Sequence, residues 1–208
     1  MLAAVLATLA ALQAHPYRPC AHAPDQPGPP VPATAEARAA VRAEIAEAVD
    51  GIGGSAAFAR YLTVVAARES SLRPGVIHVL EEDQDASSAA YLRLRGAHRR
   101  AGNPFANRPE VWLTYGLFGL NSNYHARRVH PRADPRALCR VNVSVAAYAR
   151  AAQDALRRMP RRCGIDAPTW ADVHRAVQGG KLCPRAGGRT RLPLDLAVAR
   201  VRLGDVGG

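Results

Sequence analysis

Apolar positions follow helical rather than strand spacing through most of this chain. Phe58, Leu62, Val65 and Ala66 recur at i, i+4, i+7 and i+8, which predicts a helix that opens near Ser55 and ends in the turn carrying Glu69. An earlier helix is predicted from Thr34, a capping residue followed by Ala35-Glu36-Ala37, to about Val49, with Asp50-Gly51 as its stop. Residues 142–158 and 169–178 read as two further helices, the second closed by Gly179-Gly180. Between residues 72 and 84 the periodicity is lost, apart from a short strand signal at Val76-Ile77-His78-Val79-Leu80. A helix is predicted over 87–101 and a loop over 101–109, and the tail after Lys181 is basic and poorly patterned. No internal repeat is visible.

Composition strengthens the helical reading. Apolar residues make up 48% of the 208 positions but aromatics only 5%, so the core must be built mainly from Ala, Val and Leu. Alanine and arginine are good helix formers, and β-branched runs are short. The expected fold class is mainly α, one helical domain with a small irregular or β segment. The length suffices for one domain with a real core.

The ends of the chain divide it further. Met1 to Leu12 is an apolar run too short to span a bilayer; it fits the h-region of a secretory signal peptide over 1–14, with small residues near Ala14 but no basic n-region. Residues 15–33 hold Pro16, Pro19, Pro24, Pro27, Gly28, Pro29, Pro30 and Pro32, which reads as an extended linker. The folded domain is therefore expected over 34–208. No later stretch has the length and apolarity of a transmembrane helix, and Tyr17-Arg18-Pro19 before Cys20 is not a lipoprotein cleavage box. The expectation is an exported protein, periplasmic or extracellular, without a transmembrane anchor and monomeric.

Four cysteines in an exported chain suggest disulfides. Cys20, Cys139, Cys163 and Cys183 do not have zinc spacing, and neither do His15, His22, His78, His98, His125, His130 and His174, so no metal or other cofactor is expected. A helix over 142–158 is about 24 Å long and separates Cys139 from Cys163, whereas a bridge needs Cα atoms within roughly 7 Å. The favoured pair is Cys163–Cys183, with Cys20 and Cys139 paired or free.

Glu69 lies in the run Ala66-Ala67-Arg68-Glu69-Ser70-Ser71-Leu72-Arg73-Pro74, where the apolar helix pattern gives way to a turn. That places a carboxyl group at the lip of a core, where desolvation favours the protonated form that a general acid requires. The segment Tyr115-Gly116-Leu117-Phe118-Gly119-Leu120-Asn121 follows after a long spacer. Together the two segments resemble the lytic transglycosylase and goose-type lysozyme families. Their pattern is an apolar helix, Glu-Ser, Pro, a spacer and a Gly-Leu-Met-Gln-like turn. Glu69-Ser70, Pro74 and Gly116-Leu117 match; Phe118 stands at the Met position and Gly119 where Gln is usual. Asn142-Val143-Ser144-Val145-Ala146-Ala147-Tyr148 resembles the family's Asn-Ile-x-x-Gly-x-x-Tyr helix start, with Ala146 replacing Gly. The family's late Tyr-Asn-Ala-Gly segment has no clear counterpart: Ala176-Val177-Gln178-Gly179-Gly180 occupies its approximate place without the tyrosine. The likeness covers roughly residues 55–158.

The resemblance implies a lysozyme-like helical domain whose cleft lies beside the small β segment. It implies cleavage of the β-1,4 glycosidic bond of peptidoglycan glycan strands. Glu69 would act as general acid and then base while the muramic acid 6-hydroxyl closes onto its own anomeric carbon, giving a 1,6-anhydro end. Ser70, Tyr115, Gly116, Leu117, Phe118, Asn121 and Tyr148 are the implied substrate-binding positions. Two alternatives stay open. A second carboxylate from Glu81, Glu82, Asp83 or Asp85 would make a hydrolytic muramidase. The departures at Gly119 and the late tyrosine fit a non-catalytic relative that binds peptidoglycan.

The net charge of +11 attracts polyanions, of which the cell wall is one and nucleic acid another. The arginines are dispersed and not interleaved with the few aromatics, so no nucleic acid is expected as a partner.

Overall fold

The computed structural model describes residues 34–75, 77–78, 114–121, 135–178, 182–183 and 192–207. Among them the fold is mainly α. Helices α1 (Ala35–Asp50), α2 (Ala56–Ser70), α3 (Val141–Cys163), α4 (Trp170–Val177) and α5 (Leu194–Val198) are accompanied by two short 3-10 turns, Pro135–Cys139 before α3 and Leu203–Asp205 after α5. A small antiparallel sheet completes the fold, with β1 (Ile77–His78), β2 (Thr114–Tyr115) and β3 (Leu120–Asn121) in the order β1-β2-β3. Its register pairs Ile77 with Tyr115 and Thr114 with Asn121. The predicted helix at 87–101, the loop at 101–109 and the segments before residue 34 lie outside the described residues.

Local chemistry sets the helix ends. Thr34 Oγ1 accepts the Ala37 N–H and Ser55 Oγ accepts the Phe58 N–H, so a hydroxyl satisfies one orphan donor at the start of α1 and of α2. Thr169 and Asp172 form a reciprocal capping box at the start of α4. Helix α3 runs five residues beyond the sequence expectation. Pro160 sits in its last turn, where the chain still closes helically onto Gly164 in the left-handed conformation, with the Gly164 N–H bonded to the Pro160 carbonyl.

Helices α1 and α4 pack on the long α3, and α1 also packs on α2. Ile45 and Val49 of α1 belong to the same buried core as Val145 and Ala152 of α3. The tail after Lys181, featureless by periodicity, is part of the body. Val201 and Val206 are buried, and Gly54 bridges to Val206 and Thr169 to Arg200. The Gln153 side chain donates to the Gly207 carbonyl, and Arg60 pairs with Asp195 at 2.5 Å.

Cys163 and Cys183 are joined, with Cα atoms 5.3 Å apart. Cys139 is also disulfide-bonded, to a partner outside the described residues; Cys20 is likewise outside them. Closing a loop of this length is worth ~3 kcal/mol in the chain-entropy account. Replacing Cys163 and Cys183 together by Ser should lower stability by about that amount in a denaturant titration. Non-reducing peptide mapping should recover Cys163–Cys183, and should link Cys139 to Cys20, the one cysteine the sequence leaves.

Candidate functional site

The apolar stripe of α2 consists of Phe58, Tyr61, Leu62, Val65 and Ala66, all essentially inaccessible. Glu69 continues the same stripe one step further, four residues after Val65 and three after Ala66. It is half-buried where its neighbours Ala67 and Arg68 are exposed. The helix then stops at once. Ser71 and Leu72 both take left-handed φ values, 55° and 62°, and both N–H groups reach back to the Ala66 carbonyl.

The turn between β2 and β3 comes to this spot. Gly116 and Gly119 have φ of 72° and 56°, and the Gly119 N–H bonds the Gly116 carbonyl at 3.3 Å. A Cβ at Gly119 would lie 3.8 Å from Glu69 Oε2 and 4.0 Å from Thr114 Oγ1. A carboxylate, a hydroxyl and an unshielded stretch of backbone thus converge. Gly116 is packed from behind: a Cβ there would overlap the Leu138 carbonyl oxygen and stand 2.9 Å from Ser144 Oγ, whose hydroxyl donates to that same carbonyl.

An aromatic cluster supports both segments. Tyr61 stacks on Trp170 at 4.6 Å between ring centroids, Phe58 on Trp170 at 5.7 Å, and Phe118 meets Tyr148 edge-on at 5.3 Å. The Tyr61 and Tyr148 hydroxyls are 2.5 Å apart and fully enclosed. Burial raises the Tyr61 pKa well above the ordinary phenol value, and the Tyr148 and Glu69 charges push it the same way. Burial also raises Tyr148; Glu69 adds to the rise, while hydrogen bonds from Tyr61 and Gln178 oppose it. Both tyrosines are therefore neutral hydrogen-bonding groups. Gln178 Nε2 donates to the Phe118 carbonyl at 2.7 Å.

The structure brings Glu69, Gly116, Leu117, Phe118 and Tyr148 into one neighbourhood, but not with their side chains presented as expected. Ser70 is 2% exposed; its hydroxyl donates to the Ala66 carbonyl and accepts the Arg73 N–H. Tyr115, Leu117, Phe118 and Tyr148 are buried core residues. Asn121 pairs with Thr114 in the sheet. Glu81, Glu82, Asp83 and Asp85 lie outside the described residues. The sequence does not single out Thr114, Tyr61 or Trp170; His174 enters it only as a histidine without metal spacing, and Gln178 only in the segment that stands where the late tyrosine motif is expected. Tyr61 was detectable, since it falls at i+3 in the stripe that begins at Phe58.

His174 packs edge-on against Tyr61, with ring centroids 6.4 Å apart, and its Nδ1 is buried without a hydrogen-bond partner. Burial, then Arg68 and Arg175, lower its pKa to about 4. Among the described residues no group of three or more His, Cys, Asp or Glu side chains could hold a metal ion. A separate concavity, lined among others by Ile52, Ala149, Gln153 and Arg157, opens on the face of α3 roughly half a turn from Tyr148, and Glu69 does not line it.

No protein-family profile, no curated protein and no solved structure matches this chain.

Two expected outcomes follow from this geometry. Gly116→Ala must adopt a left-handed φ and displace backbone, so it should destabilise by about 3 kcal/mol, whereas Gly119→Ala has room and should cost on the order of 1–2 kcal/mol in chemical denaturation. His174 has a folded pKa below its unfolded value of about 6.5, so the unfolded chain binds the proton first. Its contribution to stability is full above pH 6.5 and is lost as pH falls towards about 4. Melting curves of His174→Phe across that window should show a shallower pH slope than wild type.

Proposed function

We propose that this chain is an exported enzyme that cleaves the β-1,4 glycosidic bond of peptidoglycan glycan strands, with Glu69 as general acid and then base. The observation that carries the reading is the approach of the Glu69 carboxyl group to the Gly119 turn, 3.8 Å from a Cβ position there, across a long sequence separation. These are the two segments on which the resemblance to lytic transglycosylases rests.

Glycoside cleavage needs one protonated carboxyl group at the leaving oxygen while positive charge grows on the sugar. Glu69 is half-buried at the end of an apolar stripe, and at Gly119 no side chain stands between its carboxyl group and the turn backbone. With one carboxylate, the nucleophile is the muramic acid 6-hydroxyl, and the products carry 1,6-anhydromuramic ends. Glu69 protonates the departing glycosidic oxygen, then takes the proton of the attacking hydroxyl, so its protonation state is restored. The net charge of +11 favours association with the anionic wall. The Cys163–Cys183 bridge supports export, and no described helix is long and apolar enough to cross a membrane.

A second reading, a glycan-binding relative without catalysis, draws on the burial of Tyr115, Phe118 and Tyr148, which leaves backbone and Glu69 to meet the sugar. Mass spectrometry of purified peptidoglycan after digestion separates the two. Anhydro ends are expected; reducing ends would point to hydrolysis, and binding with no products would favour the second reading. Glu69→Gln keeps the size and removes the proton donor, so it should lower the rate on the order of 10²–10⁴-fold with the fold intact. Wild-type rates in a folded Glu69→Gln would remove Glu69 from the mechanism.

A further inference from the structure

Gln178 is the residue at which α4 ends, and its backbone N–H still bonds the His174 carbonyl at 2.9 Å. Five residues on, Cys183 is joined to Cys163 at the end of α3, so the chain on both sides of Gln178 is anchored. The side chain is half-buried and turned towards the β2–β3 turn. Its Nε2 donates to the Phe118 carbonyl at 2.7 Å.

The Phe118 carbonyl belongs to the peptide group whose N–H is that of Gly119, and this N–H bonds the Gly116 carbonyl at 3.3 Å. One peptide plane is therefore held at both ends, from inside the turn and from α4. The residue that follows this plane is Gly119, at φ 56°, whose bare backbone faces Glu69. Glycine resists rotation less than any other residue, so a peptide plane next to it needs an external hold to keep one orientation.

We propose that Gln178 is a positioning residue of the Glu69 site: by holding the Phe118 carbonyl it fixes the Gly119 backbone that faces the Glu69 carboxyl group. It does not touch the reacting atoms. The effect on rate rests on the catalytic reading of Glu69, whereas the effect on the turn does not.

Two variants and two readouts test this. Gln178→Glu is nearly isosteric and loses the donor to the Phe118 carbonyl; Gln178→Ala removes the side chain. Amide hydrogen exchange, read by NMR on the full chain, is expected to quicken at Gly119 by about tenfold in both, the scale of one lost hydrogen bond, with α1 amides unchanged. On soluble peptidoglycan glycan fragments, kcat is expected to fall roughly 10–100-fold with KM within about threefold, because misplacement harms the chemical step more than binding. Unchanged exchange at Gly119 in both variants overturns the proposal. So does quickened exchange with wild-type kcat, and so does loss of protection in α1 in both variants, which would make Gln178 a purely structural residue. If Glu69→Gln remains active, the catalytic reading fails by itself, and quickened exchange at Gly119 still upholds the clamp on the turn.

Discussion

The buried hydroxyl pair of Tyr61 and Tyr148 is the constraint on which the rest of the described structure depends. Two phenol groups are removed from water, and each finds its hydrogen-bond partner in the other at 2.5 Å. Leaving one such group unpaired would cost about 1–3 kcal/mol, so the arrangement of α2 and α3 that brings the two oxygens together is favoured by about that amount. The rings extend that constraint outward. Trp170 stacks on Tyr61 and fixes the start of α4; Phe118 packs on Tyr148 and fixes the β2–β3 turn. In a chain with few aromatics, more than half of them are buried in this region: Phe58, Tyr61, Tyr115, Phe118, Tyr148 and Trp170. The alanine-rich remainder supplies close helix approach but little shape, so orientation is set by these rings.

Much of the fold was legible because it rests on local signals. Thr34, Ser55 and Thr169 are hydroxyl residues placed just before helical periodicity begins, and each is the cap found there. Helix length disfavoured Cys139–Cys163, a distance argument that needs no tertiary knowledge, and left Cys163–Cys183 as the favoured pair, the one the structure contains. The extent of α3 was less legible: the expected helix ended at 158, whereas the observed one continues through Pro160, since a proline in a last turn loses only one backbone bond. The tail after Lys181 was illegible for a different reason. Val206 bridges to Gly54, some 150 positions earlier, and the Val201 N–H bonds the Pro168 carbonyl, some 30 positions earlier; no periodicity encodes such contacts.

The candidate site divides in the same way. Glu69 and the Gly119 turn were found because each has a local signature, a carboxyl group at the end of an apolar stripe and a glycine-flanked apolar turn. Their supporting residues were not found. Thr114, Gln178 and His174 are ordinary polar residues in their own segments, and acquire meaning only when α4 and β2 arrive beside α2. Ser70, Tyr115 and Tyr148 entered as binding positions through the resemblance, which carries no information about burial; in the structure all three are buried, and the hydroxyls of Ser70 and Tyr148 are bonded within the chain.

The abrupt end of α2 shows how the two halves of the site are kept in relation. Ser71 and Leu72 lie in the left-handed region, which costs non-glycine residues on the order of 1–3 kcal/mol each. A glycine would reach the same conformation more easily, yet neither position has one. Compensation is visible in the surroundings: Leu72 is 5% exposed, two N–H groups share the Ala66 carbonyl, and Arg73 bonds both the hydroxyl and the carbonyl of Ser70. Leu72 contributes burial that glycine could not, so the strained turn is held shut by the core. A helix stopped in this way cannot extend or unwind by a residue without exposing Leu72 and breaking the Ser70 bonds. Either movement would redirect the chain that follows Glu69, while Glu69 itself keeps the direction that the preceding turn of α2, with Val65 and Ala66 buried, gives it. The apolar stripe thus sets the direction of one carboxyl group, the strained turn closes the helix directly behind it, and the aromatic cluster sets the place of the turn it faces.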